Sequence, residues 1–364
     1  MEFKIFETQN ENWNDTLVKH RLADPHYSRE YALLFEKVTS NPEFNQNFVG
    51  KHYLIVYTNK DGILVYPTIK REITILGHKI NDLTSPYGYG GPLIRGDNKP
   101  NIYKEFRIEF DTWCQNNDII AEFSRLHPLS RNHEFIESIE PGKITNISTV
   151  YYLETGKSWE ELYSNFKKRV RTYYKKRDLS VKKVPITTEN AKIFEDLYSQ
   201  TMKRISAENK YHFTEEFFVR TFTLLKEKLL MILAEDQETG EKLSALLVLQ
   251  FGEFAYYWLS ATADSARNRK YSPTYPSLAE AIKILLGSES SFFLLGGGYK
   301  KDDSLAQFKR GFSNDPIPFY IYSKIHNLKN YENLIREIEL NFSIDMDKIN
   351  YFPKYRYPEL IQKY

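Results

Sequence analysis

Apolar and polar positions alternate along the chain in a way that lays out two similar halves. A helical spacing over Tyr31, Leu33, Leu34, Phe35 and Val38 precedes a hairpin. Residues 53–57 and 63–69 are runs of β-formers around Lys60-Asp61-Gly62, and Asp-Gly between such runs is a hairpin turn. A second β segment near 72–76, a glycine-rich loop at 85–91, a helix near 103–115 and a strand at 119–123 follow. The later half begins with a strand at 150–153 and a helix from Ser158. Helices at 191–205 and 215–228 come next, then a hairpin of 244–250 and 254–260 around Gly252-Glu253, a helix at 276–286 and a strand at 292–295. Hairpin, loop, helix and strand thus occur twice, about 190 residues apart, which predicts two copies of one mixed α/β unit rather than a single large sheet. The boundary falls near 141–148. Tyr331, Leu334, Ile335, Ile338 and Phe342 recur at helical spacing and need a surface on which to bury their stripe.

A length of 364 residues agrees with two units of roughly 150–200 residues each. Aromatic residues make up 15% of the chain, enough for two packed cores. The net charge is only +2, so any site for a polyanion must be local. A single cysteine, Cys114, rules out an intrachain disulfide and suits a reducing compartment. The first 21 residues contain no apolar signal core, and no apolar run approaches the ~20 residues of a membrane helix. The expectation is a soluble, cytoplasmic protein.

Four stretches are candidates for chemistry. Ser158 and Glu161 form a capping box for a helix over 158–177. Trp159, Leu162, Tyr163, Phe166, Val170, Tyr173 and Tyr174 make its apolar stripe. From Lys167 to Lys183 there are nine basic residues, including Lys168, Arg171 and Lys175, against one acid, Asp178. Such a face is either a groove for phosphates or a solvated surface. In the next helix, Tyr198, Met202 and Ile205 form the buried stripe, leaving Lys203 and Arg204 to point outward or into a cleft. In 254–260, alternation sets Tyr256 and Trp258 against Tyr257 and Leu259. Both faces suit core packing, and one tyrosine hydroxyl facing a cleft would suit substrate binding. The loop Ser85-Pro86-Tyr87-Gly88-Tyr89-Gly90-Gly91-Pro92 allows close backbone approach and offers Tyr87 and Tyr89 as a clamp, or is a rigid turn. No metal-ligand spacing, nucleophile elbow or phosphate-binding Walker loop is present, and His127 and His133 read as structural.

The most specific feature is Leu294-Leu295-Gly296-Gly297-Gly298-Tyr299 followed by Phe308-Lys309-Arg310-Gly311-Phe312. An apolar strand ending in three glycines stops where another backbone or a ligand comes close. A turn at 300–304 caps a short helix whose buried face is Leu305, Phe308 and Phe312. Lys309, beside that face, would offer a fixed positive charge to an oxyanion or phosphate. This pairing of Gly-Gly-Gly with Phe-Lys-x-x-Phe resembles the signature of the Fem-type (FemABX-like) peptidyltransferases, a branch of the GNAT acyltransferases.

The resemblance covers most of the chain and is strongest over 150–312. It implies two GNAT-like α/β domains, 1–145 joined by 325–364, and 146–324, each a mostly antiparallel twisted sheet flanked by helices, with a cleft between them. It implies transfer of an aminoacyl group from aminoacyl-tRNA, with no further cofactor, to an amine of a nucleotide- or lipid-linked cell-wall precursor in peptidoglycan biogenesis. Peripheral membrane contact is compatible with a lipid-linked acceptor. Lys309 would stabilise the oxyanion or the donor's phosphate. Tyr198-x-x-Thr201-x-x-Arg204 matches an element placed near the acceptor. Gly297, Gly298, Phe308, Tyr256, Tyr257, Tyr87 and Tyr89 would line the substrate, while Lys168, Arg171, Lys175, Arg267 and Arg269 would meet phosphates. The segment 267–272 corresponds to the coenzyme A pyrophosphate loop of GNAT enzymes but has no glycine, which argues against acetyl-CoA. The helical hairpin inserted in some Fem-type proteins has no room here. The alternatives are a coenzyme A-dependent N-acyltransferase for an amino sugar of a surface polysaccharide, and a catalytically silent GNAT-like binding module.

Overall fold

The computed structural model describes residues 1–36, 48–208, 211–298, 303–313 and 315–363. Val38, Tyr299 and turn residues 300–302 lie outside them. The strands are β1 (Glu2–Glu7), β2 (Lys51–Asn59), β3 (Gly62–Ile75), β4 (His78–Thr84), β5 (Leu93–Gly96), β6 (Ile119–Arg125), β7 (Ile144–Glu154), β8 (Leu179–Val184), β9 (Leu229–Asp236), β10 (Lys242–Phe251), β11 (Phe254–Thr262), β12 (Phe292–Gly296) and β13 (Asp315–Ile325). They form one sheet in the order β1-β2-β3-β4-β6-β13-β7-β12-β11-β10-β9-β8, with β5 paired to β3. Contrary to the expectation of two units rather than a single large sheet, both halves of the chain lie in one continuous sheet, because β13 pairs with both β6 and β7.

The hairpins form where the alternation places them. Asn59 Oδ1 accepts the N–H groups of Asp61 (2.9 Å) and Gly62 (3.0 Å), closing the β2–β3 turn. The β segment expected at 72–76 is the far end of β3, which runs on to turn at Leu76-Gly77 into β4. The helix expected over 158–177 is two helices. Ser158 and Glu161 do form the capping box, but Trp159–Asn165 ends at Phe166, and Lys168–Tyr174 starts anew. Phe166 and Lys167 are extended because tertiary contacts outweigh helix propensity. Phe166 packs against Phe312 (ring centroids 5.3 Å apart), and the Lys167 N–H donates to Gly311 O (2.8 Å).

Strand β10 buries both faces. Ala245, Leu247 and Leu249 of β10 enter one core, while Leu246 and Val248 enter the other. The stripe on the helix Leu328–Phe342 is covered as its spacing demands. Tyr331, Leu334 and Ile338 pack on Ile75, Ile120 and Ala121, with Met346, Tyr355 and Leu360 closing over them.

β13 has no counterpart in the sequence reading. Its Pro316 and Pro318 lack the N–H a central strand uses. Residues 315–322 pair with β7, but only 321–325 pair with β6. Both prolines therefore stand where β6 has already parted from β13.

Candidate active site

β11 and β12 are paired in parallel only over Phe254–Tyr256 and Phe292–Leu294, then part. Beyond that fork lie the three glycines. Gly296 has φ +75°, a conformation costly for residues with a Cβ. Gly297 backs directly on the Thr149 carbonyl, and Gly298 on the Asp303 carboxylate. Asp303 in turn caps the helix Ser304–Arg310, accepting the Ala306 N–H at 2.8 Å.

Lys309 leaves that helix and turns inward. It is 6% exposed. Its Nζ donates to Gly297 O (2.7 Å) and stands 5.5 Å from the centre of the Tyr257 ring. Burial pushes its pKa down to about 8, with Asp303 opposing. Among the described residues one of its three N–H donors is used, which leaves two for a substrate oxygen.

Tyr89 arrives from the opposite side. A Cβ at Gly296 would lie 3.0 Å from Lys309 Nζ and 3.6 Å from Tyr89 Oη. The Tyr89 ring is held by Tyr256 (5.6 Å, stacked), His26 (5.4 Å) and Phe319 (5.4 Å). The structure separates the tyrosine pair. Tyr257 faces Phe308 and Lys309, its hydroxyl donating to Ser260 Oγ at 2.6 Å. Tyr256 lies under Tyr89, and its hydroxyl is bound to Asp24 and His127 rather than open to a cleft.

Next to this point lies a cleft of about 760 Å³. Ile321 and Ser323 of β13 lie on its floor, and Phe319, on the same strand face, touches Tyr89. The walls carry Arg71, Arg125, Lys354, Arg356 and Tyr87, and no described Asp or Glu lines it. Arg71 and Arg356 both reach the buried Asp82, Arg71 Nε at 2.7 Å. The Arg125 guanidinium lies over Phe48 (5.9 Å) and Phe123 (5.6 Å). None of these cations was legible in the sequence. They come from β3, β6 and the chain's last segment, each an isolated basic residue with no local signal.

Other expected residues lie elsewhere. Arg204 binds Thr262 O (3.2 Å) and Asp264 Oδ1 (2.6 Å), and Thr201 Oγ1 donates to Leu197 O (2.9 Å) and accepts from Thr262 N (2.8 Å). They brace the end of β11, roughly 17 Å along the strand from Tyr257. Arg269 is held by Asp178 and Asp236, and Arg267 is exposed. Lys168 and Lys175 are exposed, whereas Arg171 donates to Ser164 O (2.6 Å). The basic segment still abuts the site. Arg169 lies over Tyr275 (5.2 Å), whose ring meets Phe308 (4.8 Å).

No protein-family model matches the chain, and no curated protein does. Solved structures do share its fold. FemX is 13% identical with a TM-score of 0.61, over 92% of this chain and 99% of that one. A conserved protein of unknown function from Bacteroides thetaiotaomicron is 10% identical (TM-score 0.52; 89% and 99%). L-PGS from Bacillus licheniformis is 10% identical (TM-score 0.52; 94% and 98%). The fold is shared with FemX, as the resemblance carried by the glycine and lysine motifs implies. Among the described residues, no helix is long and apolar enough to cross a membrane.

Proposed function

We infer that this Fem-type fold serves as an acyltransferase, moving an aminoacyl group from aminoacyl-tRNA to an amine on an anionic, nucleotide- or lipid-linked cell-wall precursor. The observation that carries this reading is the approach of Lys309 and Tyr89 to one point in front of Gly296, at the end of a basic cleft. The acceptor's phosphates lie against Arg125 and its neighbours, and its amine reaches the glycines. As the amine attacks the ester carbonyl, negative charge develops on the carbonyl oxygen. The Lys309 ammonium and the Tyr89 hydroxyl donate to that oxygen in a site where burial makes each bond stronger than in water. Collapse of the intermediate forms the amide and releases the tRNA 3′ oxygen, which takes up the proton lost by the amine.

The donor assignment draws on the other side of the sheet. The exposed Lys167, Lys168, Lys175, Lys176 and Arg177 have no ion pair among the described residues and lead toward Phe308 and Lys309. The loop at 267–272 instead uses Arg269 internally, which weakens it as a pyrophosphate site. A cytoplasmic location would give access to charged tRNA, and no cofactor beyond the donor is called for.

The test is binding and transfer with a labelled aminoacyl-tRNA pool and, in parallel, acetyl-CoA up to ~100 μM, a range that covers typical Michaelis constants. Binding of charged tRNA with transfer to a uridine diphosphate-linked muropeptide is expected. A micromolar one-to-one isotherm with acetyl-CoA would overturn the donor assignment, and silence with every donor would overturn the enzyme assignment.

A further inference from the structure

Asp24 is wholly buried, and four donors converge on its carboxylate. Oδ1 accepts the His26 N–H (2.8 Å) and faces His26 Nδ1 (3.2 Å). Oδ2 accepts the Tyr256 hydroxyl and faces His127 Nε2 (3.3 Å). The Ser130 N–H donates to His127 Nδ1 (3.1 Å), so that ring carries its proton on Nε2, where it is given to Tyr256 Oη (2.8 Å) and Asp24. Burial pushes the Asp24 pKa up, but the bonds from His127 and His26 outweigh it and hold the carboxyl well below its usual range.

These groups come from three distant parts of the chain: the turn before the helix Arg29–Glu36, the segment just after β6, and β11. An apolar plug of equal volume would stabilise the seam about as well as a buried charge does. What the network adds is fixed geometry. That geometry is directed at one side chain. Tyr256 stacks on Tyr89, His26 meets it edge-on, and His127 lies 6.5 Å from it. Gly88 (φ +101°) lets the loop lie against His26, since a Cβ there would fall 2.6 Å from its Nε2.

We propose that Asp24, His26, His127 and Tyr256 are positioning residues that fix the Tyr89 hydroxyl beside Lys309 in front of Gly296. This rests on the reading of that point as the reaction centre. The network touches no substrate itself and acts only through the Tyr89 ring.

The test places 3-fluorotyrosine at position 89 of the full chain and follows its ¹⁹F resonance. Tyr256→Phe removes one hydroxyl and keeps the ring. It should shift or broaden the signal, while Tyr357→Phe, at a remote exposed hydroxyl, leaves it unchanged. Transfer from charged tRNA should lose about tenfold in kcat with KM held, the loss of one bond to a charged group. If Tyr256→Phe does not fold, Asp24→Asn, similar in shape, is read in the same way. An unmoved resonance in the variant that folds overturns the proposal whatever the activity. A moved resonance with unaltered transfer would leave the positioning intact and sink the assignment of Tyr89 to the reaction.

Discussion

Lys309 Nζ and Tyr89 Oη approach the same space in front of the Gly296 Cα, the lysine from the helix packed behind β12 and the tyrosine from the loop after β4. Neither could do so past a side chain. Gly296→Ala would put a methyl 3.0 Å from the ammonium and force a φ of +75° on an L-residue. The expected result is loss of transfer together with a stability cost of about 1–2 kcal/mol. Urea unfolding and a transfer assay on the same preparation check both, and retained activity would remove Gly296 from the site.

Lys309→Met keeps the buried stem and removes the charge. Transfer should fall by two or more orders of magnitude, the effect of removing one donor from a developing oxyanion, about 2.7–4 kcal/mol. Near wild-type turnover in the purified variant would end the catalytic assignment.

The same substitution exposes a pH signature in stability. Lys309 has a folded pKa of about 8 against an ordinary 10.5. Between those values the unfolded chain binds more protons than the folded one, so stability rises with pH across that window. The full gain is on the order of 3 kcal/mol. Below pH 8 both states hold the proton and the burial cost is constant. Urea unfolding of wild type minus Lys309→Met, at pH 7.5 and pH 10, should show that rise, and parallel behaviour of the two proteins would contradict it.

The basic segment should report itself through salt. Because Arg171 is occupied by Ser164 O, the informative triple is Lys168, Lys175 and Lys176 to Gln. Affinity for tRNA should drop, and the log-log salt slope should become shallower by about 0.7–0.9 per lost phosphate contact. Filter binding across a salt series measures this. An unchanged slope would return the segment to an ordinary solvated surface.

In the cleft, Arg125 rests on Phe48 and Phe123 with its guanidinium unpaired among the described residues. Arg125→Gln should weaken uridine diphosphate binding about tenfold while leaving the melting temperature in place, since a single charge-assisted bond is lost. Calorimetry with uridine diphosphate decides it: equal affinities would move the acceptor's phosphates elsewhere.

Several of these features were readable in the chain because they are local. Asp61-Gly62 between β-formers, Ser158 three residues before Glu161, and glycines closing an apolar strand ahead of Phe-Lys-x-x-Phe each act through their own backbone preferences and spacing. The two-fold recurrence of hairpin, loop, helix and strand likewise survives in the periodicity, since burial of one face imposes it wherever the strand ends up. The division of the helix at Phe166 did not survive there. Its residues favour helix, and only Phe312 and the Gly311 carbonyl, far along the chain, draw it open.

Sequence alone thus determined the recurring hairpin, helix and strand, the glycine-lined end of β12 and the lysine next to it, all consequences of short-range pattern, but not that these elements join one sheet. Tertiary structure decided the rest. Strand order made β13, prolines and all, the link between the units, because β6 leaves it where the prolines lack their N–H. Register sent Tyr257 to Lys309 and Tyr256 to Asp24, a choice of face that alternation poses but does not answer. Long-range packing brought Arg71, Arg125 and Arg356 into one cleft and withdrew Arg204 from the site. Such convergence depends on which distant strands become neighbours, and that is fixed by the summed burial of the whole sheet.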